Sequence, residues 1–203
     1  MKVFRGKCVN TIDGSMKEEP AELIAACIQG DETAIAQLVQ EHQLGVFRLA
    51  LSVLSDPSEA NEAAQDTFIA ALRALKSYKE TTSFKAWLYT ITLNISRSRL
   101  RKRRTQERLQ RTLTSIFHVR SQGVPNLEEA VIHNDEDAAL WEALGALGEK
   151  HRIPLVLRYY HDFTIAEIAE LMNIKEGTVH SRLSIGRERL RAILSNSRKA
   201  SGD

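Results

Sequence analysis

The hydrophobic positions of this chain recur with helical periodicity from residue 21 almost to its end. Between Asp31 and Val53, apolar side chains repeat every three or four residues, as they do on one face of an α-helix. Asp56-Pro57 and Ser83 are residue types that begin helices, and helical apolar spacing follows each of them. Nowhere do apolar and polar residues alternate as they would in a half-buried strand. The sequence therefore predicts an all-α fold.

The helical periodicity is interrupted once, which predicts two helical domains. It weakens after Thr105, is broken at Gly123-Val124-Pro125 and returns near Asn126. We predict a flexible N-terminal tail at 1–20, a first domain at 21–104, a flexible linker at 105–127, a second domain at 128–197 and a C-terminal tail at 198–203. Because the first residues show no periodicity, a start at Met16 instead of Met1 is an open hypothesis.

Two helices of these domains have an inward face that is predicted in detail. The helix after Ser83 is expected to bury the apolar residues Phe84, Trp87, Leu88, Ile91 and Ile95. In the second domain, Pro154 is expected to open the helix that leads to Tyr159, because proline suits the first turn of a helix.

The segment from Thr164 to Leu194 has the pattern of a helix-turn-helix. Thr164 and Glu167 form a capping box, and Asn173 and Gly177 tolerate the backbone of a sharp turn. The second helix is predicted to bury the stripe Val179, Leu183, Gly186, Leu190 and Leu194. Its open face carries His180, Ser181, Arg182, Ser184, Ile185, Arg187 and Glu188. Such a face suits the major groove of DNA, although an ordinary helical hairpin with a solvated basic face has the same pattern.

The charges of the chain are segregated, although its net charge is only +2. Residues 97–120 contain nine basic residues and one acid, whereas residues 128–149 contain seven acids and no Lys or Arg. Between Arg182 and Lys199 there are six basic residues and one acid. Segregated basic surfaces of this kind predict a polyanionic partner such as DNA.

Several classes of protein are disfavoured by what the sequence lacks. Cys8 and Cys27 are not in a Cys-x-x-Cys motif, so neither a disulfide framework nor a thiolate zinc site is expected. No apolar stretch is long enough to cross a membrane, and a cytoplasmic location is expected. Motifs for phosphate loops, zinc proteases and serine hydrolases are missing, and His133 with Asp135 or Asp137 makes a poor metal site. We therefore expect no catalytic residue, metal, cofactor or small-molecule substrate.

Four motifs together resemble the sigma-70 superfamily, and specifically its extracytoplasmic-function (ECF) sigma factors. The first domain contains ANEAAQDTF at 60–68 and SFKAWLYTITLN at 83–94. The second domain contains LGEKHR at 147–152 and the helix-turn-helix segment at 163–183. The resemblance extends from about residue 21 to residue 194, and the order and spacing of the motifs make it specific.

This resemblance implies a protein that binds core RNA polymerase and directs it to promoters. The first domain then corresponds to sigma region 2, which docks on the polymerase clamp helices and helps to melt the −10 element. The second corresponds to region 4, which reads the −35 element and contacts the polymerase flap. Promoter DNA and an anti-sigma factor are the other expected partners, and the linker is expected to pass near the active centre of the polymerase.

The resemblance also assigns roles to individual residues. Polymerase docking is implied for Glu59, Glu62, Gln65 and Asp66. Tyr78 and Asn94 are implied to hold a flipped −10 base, and Arg97, Arg99, Arg101 and Lys102 to hold the DNA backbone. Recognition of the −35 element is implied for Thr164, Thr178, His180, Ser181, Arg182, Ser184, Ile185 and Arg187, with Thr164 and Arg187 at phosphates.

Some of these assignments have alternatives. Tyr78 is also explained as a loop aromatic folded onto the core. His180 and Ile185 stand where relatives often carry Arg or another polar residue, and Gly186, in place of the usual Ala, is expected to loosen its helix. A stand-alone helix-turn-helix repressor or activator would instead dimerise on a palindrome without polymerase. A nuclease is a more distant hypothesis.

Overall fold

The protein is built entirely of helices in the residues that the computed structural model describes, which are 21–79, 83–117 and 135–200. The helices are α1 (Ala21–Gln29), α2 (Glu32–Leu54), α3 (Pro57–Ala74), α4 (Phe84–Phe117), α5 (Asp135–Gly145), α6 (Glu149–Tyr159), α7 (Ile165–Met172) and α8 (Glu176–Ala200). A short 3₁₀ helix at Leu75–Ser77 follows α3. The predicted all-α fold is confirmed. The predicted tail at 1–20, including Met16, lies outside the described residues.

The helix starts predicted from capping residues are confirmed. The Asp31 carboxylate accepts hydrogen bonds from the backbone N–H groups of Thr33 and Ala34, at 2.8 and 3.1 Å. Asp56 accepts from the N–H of Glu59 at 2.8 Å in the same way. These bonds satisfy N–H groups that have no partner within a helix, so local sequence alone decides where α2 and α3 begin.

The first domain consists of helices α1 to α4, with α2, α3 and α4 packed on one another. The sequence placed Trp87, Ile91 and Ile95 on the inner face of α4, but all three are only partly buried. Tyr89, Thr92 and Leu93 are more completely buried. The difference arises because α4 packs against α2 and α3 and also against α7 of the second domain.

Helix α4 also continues well past Thr105, where the sequence predicted the flexible linker to begin. More than half of the residues of this extension are Arg, Gln, Glu and Leu, which are strong helix formers. Arg103 and Glu107, one helical turn apart, approach to 3.7 Å and support it. The rest of the predicted linker, 118–127, and the first residues of the predicted second domain, 128–134, lie outside the described residues.

The second domain consists of helices α5 to α8, and α6 lies at its centre. The prediction that Pro154 opens α6 is wrong, because the helix begins earlier, at Glu149. Gly148 is its N-terminal cap residue, and the Glu149 carboxylate lies near the positive end of the helix dipole. Pro154 is therefore inside the helix, where it is fully buried in the core.

The helix-turn-helix is formed by α7 and α8. The predicted capping box is present: the Thr164 hydroxyl accepts from the N–H of Glu167, and the Glu167 carboxylate accepts from the N–H of Thr164. Asn173 ends α7 in the left-handed conformation, with φ 51°. Gly177 does not serve the turn as predicted, because it already lies in the first turn of α8.

The apolar stripe of α8 faces α6 and α7 as predicted, and Val179, Leu183 and Leu190 are buried, whereas Leu194 is only partly buried. The sequence suggested only that Gly186 loosens the helix, but the structure gives it a packing role. A Cβ atom at Gly186 would lie 3.0 Å from Cδ1 of Leu155 and 3.3 Å from the carbonyl oxygen of His151. The missing side chain therefore allows α6 and α8 to approach closely.

Candidate nucleic-acid and protein interfaces

The outward face of α8 presents most of the residues predicted to read the −35 element. His180, Ser181, Ser184, Ile185 and Arg187 are exposed. Ile185 exposes 41% of its surface, which leaves its apolar side chain accessible for a contact such as that with a thymine methyl group. The structure thus brings these residues together on one accessible helix face.

Three other predicted −35 residues are partly engaged within the protein. Arg182 and Thr178 are half-buried. The Thr164 hydroxyl belongs to the capping box, where it lies 2.7 Å from Oε2 of Glu167. Only the remaining hydrogen-bonding capacity of the Thr164 hydroxyl is available to a partner.

Two contacts fix α8 relative to α6. A ring nitrogen of His151, Nδ1, lies 3.2 Å from the carbonyl oxygen of Arg182. The Arg187 guanidinium donates to the Tyr159 hydroxyl at 3.2 Å. The close approach at Gly186 lies between these two points along α8. The exposed face of α8 is therefore held rigidly by α6, as a surface that reads base edges requires.

The aromatic residue predicted to hold a −10 base lies at the edge of the first domain's core. Tyr78 is half-buried, and its ring centroid is 5.6 Å from that of Phe84 and 5.3 Å from that of Trp87. Asn94 is exposed on α4. Tyr78 therefore packs on the core and retains an accessible part, so both interpretations made from the sequence are compatible with its position.

The acids on α3 and the bases on α4 form ion pairs with each other. Arg99 donates to Glu62 at 2.7 Å and to Asp66 at 2.5 Å. These hydrogen bonds, first that to Asp66 and then that to Glu62, raise the pKa of Arg99. Arg103 donates to Glu59 at 3.0 Å. Residues assigned from the sequence to polymerase docking are thus paired with Arg99, which was assigned to the DNA backbone.

The remaining members of these two sets are more accessible. Gln65 is exposed on α3, next to Ile69, which exposes 48% of its surface. Arg101 and Lys102 are exposed on α4. They form the accessible basic part of α4 beside Asn94.

Arg97 lies where the two domains meet. Burial lowers its pKa, Glu149 of the second domain raises it, and Arg182 of the second domain lowers it again. Two arginines that were assigned to different promoter elements therefore face the same space between the domains. Arg104 reaches across the same boundary to Glu149, at 3.4 Å.

The contact between the domains also contains buried polar residues that sequence reasoning missed. His161 and Arg152 of the second domain are 5% exposed, and Tyr89 of the first domain is 2% exposed. Arg152 donates to the carbonyl oxygens of Ser52 and Val53 at the end of α2. Arg152 and Tyr89 belong to two of the motifs quoted above. Helical periodicity, however, does not predict which element of the other domain covers them.

The described residues offer no evidence for a metal site or a membrane span. Within 21–79, 83–117 and 135–200, no group of three or more His, Cys, Asp or Glu is placed to hold a metal ion. His133, the candidate raised from the sequence, lies outside these ranges. None of the helices in the same ranges is both long and apolar enough to cross a membrane.

Comparison with known proteins identifies what the two domains resemble. The family model for sigma-70 region 2 matches residues 38–106, and the model for sigma-70 region 4 matches residues 137–190. The ECF RNA polymerase sigma factor SigW of Bacillus subtilis (strain 168) is 31% identical over 172 residues, which are 82% of this chain and 91% of SigW. The RNA polymerase sigma-H factor of Pseudomonas aeruginosa is 28% identical over 177 residues, which are 85% of this chain and 92% of that protein.

A solved structure has a similar arrangement of helices. It is the sigma factor RpoE in complex with the anti-sigma factor NepR from Bartonella quintana. The TM-score is 0.63 and the sequence identity 26%, and the match covers 79% of this chain and 96% of the RpoE chain.

Proposed function

The chain belongs to the ECF group of the sigma-70 family of RNA polymerase sigma factors, and from this premise we propose how its two domains divide the work of promoter recognition. A sigma factor binds core RNA polymerase and directs transcription initiation at promoters. In our proposal the first domain docks on the polymerase clamp helices and opens the −10 element. The second domain contacts the polymerase flap and reads the −35 element. The observation that carries the proposal is that each family domain exposes one polar face, on α4 and on α8.

The docking surface is proposed to be the outward side of α3. Gln65 and Glu62 are exposed there, and Ile69 adds an apolar centre. The ion pairs from Arg99 hold Glu62 and Asp66 in fixed positions, which lowers the entropy that their side chains would lose on binding. This role for Arg99 is structural, and it fits the geometry better than a contact with the DNA backbone.

The −10 element is proposed to bind along α4. Tyr78 offers a partly buried ring, against which an unstacked base gains about 1–3 kcal/mol. Asn94 offers an amide for the base edge, and the exposed Arg101 and Lys102 offer charge to the backbone. Together they provide the trapping of an unstacked base that makes DNA melting favourable.

The −35 element is proposed to bind the face of α8 that carries His180, Ser181, Arg182, Ser184 and Ile185. Arg187 and Thr164 flank this face and are assigned to phosphates. Since His180 and Ile185 replace residues common in relatives, the preferred −35 bases are expected to differ from those of relatives.

Run-off transcription on a library of genomic fragments tests this function. Core polymerase with the protein is expected to start at discrete sites that share two spaced motifs, and core polymerase alone is expected to start poorly. A tight gel shift of a single palindromic site without polymerase, and no new transcription starts, would favour a stand-alone repressor or activator instead.

Replacing Arg182 with Ala is expected to weaken recognition of the −35 element by about 1–3 kcal/mol, because a bidentate contact to a base is lost. The measurement is the ratio of transcripts from two promoters that differ only in the −35 element. The matched control is Arg191→Ala, which removes an exposed arginine further along α8. Equal promoter preference in the two variants would remove Arg182 from the reading surface.

Three further parts of the proposal come from family membership. The sigma factor family is not enzymatic, and we propose that this chain has no catalytic residues of its own and needs no cofactor. An anti-sigma factor is proposed as a regulator, since RpoE was solved with one. A cytoplasmic location is proposed because the polymerase works there.

A further inference from the structure

His161 lies at the centre of the contact between the two domains. Its ring nitrogen Nδ1 is 3.0 Å from the Tyr89 hydroxyl of α4, and the two rings meet edge to face at 4.8 Å. The ammonium group of Lys85, also on α4, donates to the His161 carbonyl oxygen at 2.9 Å. One residue of the second domain thus receives two polar contacts from one helix of the first domain.

Helix α2 approaches this pair closely because it has a glycine at the point of contact. A Cβ atom at Gly45 would lie 2.3 Å from the Tyr89 hydroxyl oxygen and 3.7 Å from Cε1 of His161. Glycine inside a helix is unfavourable in itself, so its presence here indicates that the close approach matters. We call Gly45, Lys85, Tyr89 and His161 the domain latch.

The latch offers no hydrogen-bond acceptor for a proton on Nε2 of His161. Nε2 is buried and has no hydrogen-bond partner among the described residues. Burial, and then the positive charges of Lys85 and Arg48, lower the pKa of His161 well below its ordinary value. Burial also raises the pKa of Tyr89, so its hydroxyl remains protonated and neutral.

Charged and aromatic groups of α2 and of the second domain also lie around His161. Arg48 of α2 lies over the ring of Tyr160, 4.5 Å from its centroid, and Tyr160 meets the ring of His161 edge to face at 4.8 Å. Asp162 and Glu167 of the second domain interact with Lys85, whose pKa burial nevertheless lowers. These two acids act on Lys85, and neither lies within hydrogen-bond distance of Nε2.

We propose that the latch holds the two domains of the free protein together and that protonation of His161 opens it. The imidazolium cation would be buried beside Lys85 and Arg48 with a donor that has no acceptor. Separation of the domains places the cation in water. There the repulsion from Lys85 and Arg48 is lost, and water accepts the hydrogen bond that the buried donor lacked.

The direction of the pH dependence follows from proton binding. The closed form binds fewer protons than the open form, in which an exposed histidine has a pKa of about 6.5. The contribution of His161 to closure is complete above that pH and is lost as the pH falls below it. Each pH unit below about 6.5 should raise the opening equilibrium about tenfold, until the pH reaches the lowered pKa of the buried ring.

Opening has a functional consequence that rests on the proposed function. The −10 and −35 elements are about 25 base pairs apart, or roughly 85 Å of B-form DNA at about 3.4 Å per base pair. In the closed form, by contrast, Arg97 and Arg182 are near enough for their charges to interact. The closed form therefore cannot place its two domains on both elements, and acid is expected to favour the form that can.

Single-molecule energy transfer between the domains tests the latch directly and without DNA or polymerase. Dyes are attached through Ser58→Cys and Glu170→Cys in a Cys8→Ser background, because Ser58 and Glu170 are exposed and Cys27 is buried. The ratio of open to closed molecules is expected to rise about tenfold from pH 7.5 to pH 5.5 and to return on neutralisation. An unchanged ratio would overturn the proposal whether or not the chain directs transcription.

Two variants identify the group that titrates. His161→Asn keeps a neutral hydrogen-bonding group near the Tyr89 hydroxyl but cannot titrate, so its ratio should change less than twofold with pH. His180→Asn removes an exposed histidine and should respond to pH as the unmodified protein does. If His161→Asn opens in acid as far as the unmodified protein, another group is responsible and the proposal fails.

A measurement on the unmodified protein covers the case in which His161→Asn is already open at pH 7.5. The pH titration of the His161 ring resonances by NMR should show a transition below that of an exposed histidine. A transition of His161 at or above pH 6.5 in the closed protein would overturn the proposal, whatever the variant does.

Discussion

Replacing Leu183 with Asp is expected to unfold the second domain while the first domain stays folded. Leu183 is 5% exposed on the stripe of α8 that faces α6 and α7. The change removes a buried apolar side chain, which costs about 2–5 kcal/mol, and adds the cost of burying an unpaired carboxylate. A domain this small has little stability in reserve, so most molecules should lose α8 from its site.

The two tryptophans report the domains separately, because Trp87 is in the first and Trp141 in the second. In Leu183→Asp, the emission of Trp141 should shift to that of an exposed indole while the emission of Trp87 is unchanged. The matched control is Ser184→Asp, which adds the same charge at the exposed neighbouring position. If both variants melt alike, burial of the α8 stripe does not stabilise this domain.

Local features of the fold were predictable because they depend on a few neighbouring residues. The Asp31, Asp56 and Thr164 caps each satisfy backbone groups within three residues, and their side chains identify them. The stripe of α8 was predictable for a related reason, because a helix that covers a core on one side repeats its apolar residues every three or four positions. The start of α6 was predicted wrongly at Pro154, because the N-cap residue of this helix, Gly148, has no side chain that could mark the start.

The pairing between elements was not predictable in the same way. The acids of α3 and the bases of α4 were each visible as helical strips, but periodicity does not tell which strip faces which. The structure aligns Glu62 and Asp66 with Arg99, so residues that the sequence divided between two partners support each other. The assignments to polymerase and to DNA remain predictions for the residues outside these pairs.

The contact between domains was the least predictable feature, because it joins residues far apart in the chain. Tyr89 lies in α4 and His161 lies in the turn after α6, and no sequence pattern links the two residues. Their role becomes visible only from their contact in the structure. The glycine at position 45 was a usable signal. A glycine in the middle of a long amphipathic helix indicates that another group comes close to its backbone.

Replacing Arg152 with Met is expected to lower the free energy of unfolding by at least about 3 kcal/mol, since each buried carbonyl left without a donor costs about 1–3 kcal/mol. The last carbonyl groups of a helix lack partners within it. In α2 the N–H of Ser55 bonds to the carbonyl of Leu51, so the carbonyls of residues 52–54 remain. The guanidinium of Arg152 supplies donors to Ser52 and Val53, and on its own domain to Gly145 at 3.0 Å and Leu147 at 3.4 Å. One side chain thus completes the end of a helix in the other domain.

Arg104→Met is the matched control for Arg152→Met, because Arg104 also reaches across the domain contact but is 57% exposed. Its pair with Glu149 is worth at most about 1 kcal/mol in water. Urea unfolding followed by tryptophan emission measures both variants. Equal small losses would mean that the end of α2 is solvated without Arg152, and that the domains meet more loosely than the buried contacts imply. A large loss confined to Arg152→Met would show that this buried guanidinium contributes far more to stability than the exposed pair of Arg104 with Glu149 does.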